Sequence, residues 1–356
     1  MKMTLQACSI ALFATLVAGC GKESSDTAKT PAPATEAAAA DLNALVNAGV
    51  AAVAQKDAAA ATDAAEKAQA FQPESAEACL VAGQAACLRQ DFEQARASFT
   101  TVIKTKSLPP ALRAKAYAGL GTVEFLQHKA DIARIMFLQA RRLDMKNEAA
   151  WYYLGLIYRD VYRFYEAAEE HFRMFARMSK PGDPRAEKVN YEVVPELRKT
   201  LARIAAARPG ASSGKPSVAA VLIREAEELE AKNKLTAAKK KYADAYAADP
   251  MSYAAALGYA RILRSTDKSA EGVRKAIRAY RAAIDQKPAV QKNYLEVARL
   301  ARENKLWVQA VEIMNRAVAH DPQNKEALDQ LIGALIKAGS VKLANAWAEY
   351  RKDLGK

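Results

Sequence analysis

The chain has little of what a β-structure requires. Alternation of apolar and polar residues is scarce, and no run of β-branched residues is bounded by turn residues. Hydrophobic residues nevertheless make up 51% of the 356 residues, which is enough to form a packed core. The sequence therefore predicts an all-α protein.

Cysteine and histidine are also rare, with four and three residues. Cys79 and Cys87 are eight residues apart on one predicted helix, a rise of roughly 12 Å. A disulfide needs Cα atoms within about 7 Å, so we expect two buried apolar residues instead of a redox pair.

The sequence also lacks a metal-ligand spacing, a nucleophile motif and a phosphate-binding loop. These absences indicate a protein that is not an enzyme and has no cofactor or metal.

Eight alanines recur at a nearly fixed interval along the chain. They are Ala61, Ala95, Ala133, Ala167, Ala238, Ala276, Ala310 and Ala344. Their separations are 34, 38, 34, 71, 38, 34 and 34 residues. A period near 34 residues is typical of a helical repeat array, which offers a surface for a partner and usually has no catalytic pocket.

The clearest copy contains Trp151, Leu154, Gly155 and Tyr158, followed by Ala167. These residues resemble the W-x2-L-G-x2-Y opening and the small second-helix residue of the tetratricopeptide repeat (TPR) family. The resemblance implies an all-α solenoid of antiparallel helix pairs that forms a right-handed superhelix. It covers about eight copies and therefore most of the chain.

Certain positions within each copy have a predictable packing role. Numbered from the first residue of a copy, we expect the small residue at position 8 to face the small residue at position 20. The bulky residue at position 24 should pack on the next repeat, which assigns His171 to packing. Four inserted residues are expected after the second copy and four within the sixth, near Ser265–Gly272.

The long interval between Ala167 and Ala238 divides the chain. Its extra residues are bounded by proline and glycine, and they include the helical segment Glu196–Ala207. We predict that this helix caps a first array. The first array then covers residues 42–207, a linker covers 208–217, and a second array covers 218–356. A single continuous superhelix with one decorated repeat is the alternative.

The N-terminus has the pattern of a secretory signal. An apolar stretch from Leu5 to Ala18 follows Lys2, and it is too short for an ordinary membrane span. Its ending, Leu-Val-Ala-Gly-Cys20, resembles the lipobox of bacterial lipoproteins. The resemblance implies that residues 1–19 are a signal peptide and that Cys20 is lipidated. An ordinary signal peptide with a chance cysteine is the alternative.

Residues 20–41 are small and polar, so they predict a flexible tether behind the lipid anchor. Gly21 follows the cysteine where, in that lipoprotein family, an aspartate favours retention in the inner membrane. The resemblance therefore implies a location at the outer membrane of the cell envelope, facing the periplasm. We expect no nucleic-acid partner in that compartment.

Positive charge is concentrated in the second half of the chain. Residues 181–356 contain 32 lysines and arginines against 21 acidic residues, whereas residues 20–180 contain 20 against 19. Such a field favours an acidic protein face or an anionic polysaccharide. An ordinary solvated surface is the alternative interpretation.

The TPR resemblance also predicts binding residues, because the family's concave face is lined by first-helix positions 2, 5, 9, 12 and 13. The candidates at these positions are Arg261, Arg264, Lys292, Arg299 and Arg302. A ladder of guanidinium groups suits an acidic peptide or an anionic polymer. Alternatively, Glu227 and Glu230 pair with the neighbouring arginines and the ladder is a structural feature.

A second candidate is aromatic. In the fourth copy, Tyr152 is at position 5, and Tyr162 and Tyr165 lie near the turn between the two helices. These three residues could form an exposed anchor for a partner. The alternative is that they pack against residues 182–207, including Tyr191.

Taken together, these features predict a lipid-anchored scaffold that binds protein partners in an envelope assembly. The resemblance includes lipoproteins of pilus assembly, secretion, polysaccharide export and peptidoglycan-enzyme recruitment. Direct binding of an anionic envelope polymer by the second array is the alternative function.

Overall fold

The computed structural model describes residues 33–206 and 217–355, and all regular structure in these ranges is helical. The chain divides into two compact units between Glu196 and Leu197. No helix in the described ranges combines the length and apolar character needed to cross a membrane. The predicted signal peptide, Cys20, and most of the predicted tether and linker lie outside these ranges.

The first unit consists of helix pairs that follow one another along the chain. They are α1 (Pro33–Gln55), α2 (Ala58–Phe71), α3 (Ala76–Leu88), α4 (Phe92–Lys104), α5 (Pro110–Leu126), α6 (Ala130–Leu143), α7 (Glu148–Leu156) and α8 (Tyr165–Met178). Helix α7 continues as a π-helix over Ile157–Tyr162. The short α9 (Pro184–Lys188), a π-helix at Val189–Val193 and α10 (Val194–Ala206) follow, and the boundary between the two units lies within α10. The predicted capping role of the 196–207 helix stays a prediction.

The second unit repeats the same pattern. Its pairs are α11 (Val218–Ala231), α12 (Leu235–Ala248), α13 (Tyr253–Thr266), α14 (Ala270–Gln286), α15 (Gln291–Glu303), α16 (Trp307–His320), α17 (Lys325–Lys337) and α18 (Val341–Asp353). The all-α fold of helical hairpins that the alanine period predicts is therefore confirmed.

Helix α1 begins earlier than the predicted start of the first array at residue 42. Residues 33–41, predicted as the end of a flexible tether, are helical. Proline is favourable in the first turn of a helix, and alanine, the residue at 37–40, has the highest helix propensity. The alanine run therefore extends the helix.

Most first helices end with the same tight turn. At Gln90 the backbone is left-handed, with φ 62°, and the Asp91 N–H donates to the Ala86 carbonyl across 2.9 Å. This closes the helix end in a Schellman-type arrangement. The equivalent left-handed residues are Lys56, His128, Asn233, Lys305 and Gly339. All of them occupy position 15 of their copy, which fixes the direction of the second helix.

The fourth copy departs from this pattern by one residue. Its left-handed residue is Arg163, at position 16, and the Phe164 N–H donates to the Tyr158 carbonyl, six residues earlier, across 2.8 Å. The extra residue is accommodated in the π-helix Ile157–Tyr162, because a π-turn contains one residue more than an α-turn.

The alanine equivalent to those of the other repeats is therefore Ala168, and the prediction of Ala167 is wrong by one residue. The Ala168 N–H donates to Phe164 as the Ala95 N–H donates to Asp91. Four residues later, Phe172 takes the position predicted for His171. Alanine occupies both 167 and 168, so spacing alone could not distinguish them.

The two predicted four-residue insertions each lengthen a helix by about one turn. Helix α5 begins at Pro110 instead of at the predicted 114, and α14 begins at Ala270. Both helices contain 17 residues. The loop between α13 and α14 is Asp267–Ser269.

A ring at position 24 fills the space between neighbouring repeats. A Cβ added to Gly83 or Gly119 would lie 2.7 or 2.5 Å from the Phe99 ring, so the ring packs against its own repeat and the next one. The same close approach relates Gly121 to Phe137 and Gly155 to Phe172. Position 8 therefore faces the ring at position 24. The predicted contact between positions 8 and 20 stays a prediction. Cys79 and Cys87 are buried and free, as expected.

Two glycine substitutions within the second unit test this packing. A methyl group on Gly258 would collide with the buried Tyr242 ring, whereas one on Gly333 would have no neighbour within 4 Å. We expect Gly258→Ala to lower the free energy of unfolding by about 1–3 kcal/mol. Gly333→Ala should raise it by about 0.5–1 kcal/mol, because alanine favours a helix. Urea unfolding followed by circular dichroism measures both, and equal effects would contradict the ring contact.

Candidate functional site

The predicted arginines lie on two adjacent first helices of the second unit. Helix α13 contains Arg261 and Arg264, and α15 contains Arg299 and Arg302. Residues three apart on a helix share a side, so each helix presents two guanidinium groups together. We call these four residues and Lys292 the arginine face.

Acidic residues pair with part of the arginine face across repeat boundaries. Glu230 accepts a hydrogen bond from Arg261 across 3.0 Å. Glu296 pairs with both Arg264 and Arg299, at 2.9 Å from the latter. The alternative interpretation, in which Glu227 and Glu230 pair with the neighbouring arginines, therefore holds for Glu230. Glu227 forms no ion pair with a described residue. Glu296 was missed because it is at position 6, although its spacing of three from Arg299 was a readable signal.

Two buried tyrosines from the second helices extend into this charged region. The Tyr242 hydroxyl donates to Glu230 across 3.0 Å. Burial raises the pKa of Tyr280, and the nearby guanidinium groups of Arg264, Arg261 and Arg299 act in the opposite direction. One phenolic hydroxyl thus lies within electrostatic reach of three arginines, which shows that the fold brings these three residues together.

Arg302 and Lys292, the other two residues of the arginine face, differ from the paired arginines. Both side chains are exposed, and neither forms an ion pair with a described residue. Their charges are therefore available to an external anion. Exposed pairs such as Arg261–Glu230 contribute only about 0–1 kcal/mol, so an incoming carboxylate can also compete for their arginines.

The candidate tyrosines of the first unit are packed within their own repeat. Tyr152 is half-buried, with its ring 5.0 Å from Phe175 and 5.9 Å from Phe172, centroid to centroid. Tyr191, which was expected to cover these residues in the alternative interpretation, is 81% exposed. Tyr152 thus packs on helix α8, and Tyr191 does not cover it.

Tyr162 also contacts residues of the same unit. Its hydroxyl donates to Asp131, and the Arg134 guanidinium lies 4.6 Å from its ring centroid. Burial raises the pKa of Tyr162. Tyr165 begins α8 and is half-buried. The structure therefore does not assemble Tyr152, Tyr162 and Tyr165 into one exposed patch.

His171 lies beneath this aromatic region and is fully packed. Its Nδ1 is 2.7 Å from the Ala167 carbonyl, and its Nε2 is 2.8 Å from Arg141 Nη1. Arginine can only donate, so Nε2 accepts and Nδ1 carries the proton of a neutral ring. Burial, together with the charge of Arg141, lowers the pKa of His171 to about 3. Within residues 33–206 and 217–355, no three metal-ligating side chains come together around it or elsewhere.

The buried imidazole predicts a pH-dependent stability. The unfolded chain gains a proton at position 171 below about pH 6.5, whereas the folded chain remains neutral there down to about 3. The free energy of unfolding should therefore fall as the pH decreases through this window. Between pH 7 and 5, the contribution of His171 is about 2 kcal/mol. We expect His171→Gln to reduce the pH dependence by that amount in urea unfolding.

His128 provides the control, because it lies in an exposed turn. His128→Gln should leave the decline in stability between pH 7 and 5 close to that of the unmodified chain. A decline that is equally steep in His171→Gln would show that the buried imidazole does not cause it.

Comparison with known proteins supports the repeat assignment. Residues 267–325 match the family model described as tetratricopeptide repeat. This segment contains α14 to α16 and therefore most of the arginine face on α15. No curated protein sequence matches the chain.

Several solved structures resemble the chain weakly. Yeast Tom70 is 16% identical, with 95% of this chain and 72% of that chain covered and a TM-score of 0.36. MamA is 14% identical over 50% of this chain and 95% of that one, with a TM-score of 0.32. YrrB, described as a TPR protein with an unusual peptide-binding site, is 15% identical, with coverages of 74% and 96% and a TM-score of 0.27.

Proposed function

We propose that this chain, a member of the tetratricopeptide repeat family, is a lipid-anchored scaffold that faces the periplasm. Its arginine face binds an acidic segment of a protein partner in an envelope assembly, such as one for pilus assembly, secretion, polysaccharide export or peptidoglycan-enzyme recruitment. The observation that carries this proposal is the exposed Arg302, three residues from Arg299 on α15, which forms no ion pair with any residue that the structure describes. The chain acts by binding, and no catalytic step is assigned to it.

The anchor is supported by the sequence alone. Small residues precede Cys20 after a short apolar stretch. Each buried methylene of an acyl chain contributes about 0.8 kcal/mol, and two or more chains give stable membrane association.

Cys20→Ser tests the anchor. This variant should lack the lipid and appear in the soluble fraction of the cell envelope, whereas the unmodified chain should sediment with outer-membrane material. Metabolic labelling with a clickable fatty acid, followed by density-gradient fractionation, measures both. Cys79→Ser is the control, because Cys79 is a buried thiol of the folded domain. Labelling of the Cys20→Ser variant would contradict the anchor.

The charge pattern of the arginine face explains how an acidic segment could be held. Arg302 and Lys292 have no competing carboxylate among the described residues, so they attract an anion first. Glu296 pairs with two arginines at once, Arg264 and Arg299. A carboxylate of the partner that replaces Glu296 at Arg299 can form a bidentate pair there. Glu296 thus limits the affinity for acidic segments.

Opposite substitutions on this face should therefore have opposite effects. Arg302→Glu should weaken binding of a fluorescein-labelled octapeptide of alternating aspartate and glutamate by about tenfold, equivalent to about 1.4 kcal/mol. Glu296→Gln should tighten it about three- to tenfold, because two guanidinium groups are freed. Fluorescence anisotropy at 0.1 M salt measures both, and an asparagine–glutamine octapeptide gives the neutral baseline.

Arg278→Glu is the matched control, since Arg278 is exposed on the second helix α14 and lies outside the arginine face. It changes the net charge equally and should alter the affinity by less than about twofold, because surface charges are screened over about 10 Å at 0.1 M salt. If Arg278→Glu and Arg302→Glu weaken binding to the same extent, only overall charge matters and the arginine face is not the site.

The concentration of positive charge in residues 181–356 favours a second candidate, direct binding of an anionic envelope polymer. A polymer contacts many charges, so its affinity should fall steeply with added salt, whereas a short segment on the arginine face should lose less. Titration with alginate at several salt concentrations distinguishes the two candidates. Binding of alginate that is insensitive to Arg302→Glu but abolished by salt would favour the polymer.

A further inference from the structure

A second site lies in the same unit but away from the arginine face. A pocket of about 570 Å³ opens between α12, α13 and α14. Its lining residues are Thr236, Ala237, Lys239, Lys240, Ala243, Tyr259, Leu263, Asp267 and Lys275. Its volume lies within the range of small-molecule sites, about 300–1,000 Å³.

The pocket and the arginine face use opposite sides of helix α13. Tyr259 and Leu263 line the pocket, and each is two residues from Arg261. Two residues correspond to about 200° around a helix of 3.6 residues per turn, so their side chains point away from that of Arg261. A ligand in the pocket would not compete for the same surface as a segment on the arginine face.

The insertion in the sixth copy supplies one wall of the pocket. Asp267 lies in the short loop before α14, where its carboxylate accepts hydrogen bonds from the Ser269 hydroxyl and N–H across 2.6 and 3.2 Å. Gly272 leaves room for this loop, because a Cβ there would lie 2.7 Å from the Asp267 carbonyl oxygen. Hydrogen bonds and close backbone packing therefore hold the Asp267 side of the pocket in place.

The floor of the pocket is apolar. Ala237 and Ala243 of α12 face Leu263 and Tyr259 of α13. The Tyr259 ring stacks with the Tyr246 ring, with centroids 5.7 Å apart and an interplanar angle of 29°. This floor offers an aromatic face and methyl groups to a ligand.

The rim of the pocket is positive. Lys239 lies 3.8 Å from Asp267, and Lys275 lies 3.7 Å from Glu271, which does not line the pocket. Lys240 is exposed and forms no ion pair with a described residue. Three ammonium groups therefore surround an apolar floor with one carboxylate among the lining residues, which leaves an excess of positive charge.

We propose that this pocket binds an apolar group that bears a carboxylate, with the apolar part over Tyr259 and Leu263 and the carboxylate at the lysine rim. The apolar floor selects the body of the ligand, and the lysines select its charge. The same chemistry is offered by a free organic acid and by an acidic segment with one bulky apolar side chain, so the test contains an arm for each. The proposal is independent of the arginine face.

The probe for the free acid is 3-phenylpropionate, titrated into the full-length ¹⁵N-labelled chain and followed by amide chemical shifts. We expect a dissociation constant in the low-millimolar range for a ligand of this size. Its neutral amide, 3-phenylpropionamide, should bind at least about fivefold more weakly, because it cannot pair with the lysines. Inorganic phosphate should leave the shifts of the floor residues unchanged. If phosphate or the amide reproduces the shifts of the acid, the proposal is overturned.

Two variants locate the site. Ala243→Phe should fill the pocket and abolish binding, whereas Ala248→Phe, on an exposed position about 140° around the same helix, should leave it within about twofold. Lys239→Gln combined with Lys275→Gln should weaken the acid about fivefold and leave the amide unchanged. Undiminished binding to the Ala243→Phe variant, with its helical spectrum intact, would overturn the assignment.

The second arm uses an acetylated Glu-Phe-Glu peptide amide under the same conditions. A peptide that binds more than about tenfold tighter than 3-phenylpropionate, and is lost in Ala243→Phe, assigns the pocket to a protein segment. A peptide that binds no tighter assigns it to a free acid. A peptide that shifts only residues of the arginine face supports the proposed function alone and would exclude the peptide from this pocket.

Discussion

The structure depends on one steric constraint, the close approach of helices around a ring at position 24. Phe99 fits because Gly83 and Gly119 have no side chains to occupy its place. Each such ring belongs to two repeats at once, so the repeats are joined by the same contact that closes each pair of helices. Apolar burial and tight packing supply the stability of each junction. This constraint fixes the spacing of the first helices, and thereby the spacing of the side chains on their surfaces.

The arginine face and the lysine-rimmed pocket both follow from that spacing. Because α13 is held between its neighbours, Arg261 lies within reach of Glu230 on the preceding repeat. Glu296 likewise reaches Arg264 on the repeat before it. On the other side of α13, the lengthened sixth copy opens a concave surface with positive edges. One helix thus separates two positively charged sites that differ in shape: one is a strip of arginines, some of them paired with glutamates, and the other is an open pocket with an apolar floor.

Much of the fold could be predicted from the alanine period, since spacing near 34 residues determines helix pairs and their order. The register of the fourth copy could not, because Ala167 and Ala168 are equally small and the π-helix leaves no mark in composition. The arginines of the candidate site could be predicted from repeat position. Their pairing could not, because Glu296 becomes a partner of Arg264 only through the contact between successive repeats. The pocket depends on where the four inserted residues of the sixth copy lie. The sequence places them near Ser265–Gly272 but does not show that they lengthen α14.

The π-helix of the fourth copy has a consequence for the modularity of the chain. Repeats with identical spacing are interchangeable units, and recombination at any equivalent boundary preserves the packing on both sides. The fourth copy is one residue longer between Gly155 and Ala168 than its counterparts, so an exchange within that interval would rotate the second helix by about 100°. Phe172 would then point away from Gly155. The interval from Gly155 to Ala168 can therefore be inherited or transplanted only as a whole, and the aromatic residues within it are exchanged with it.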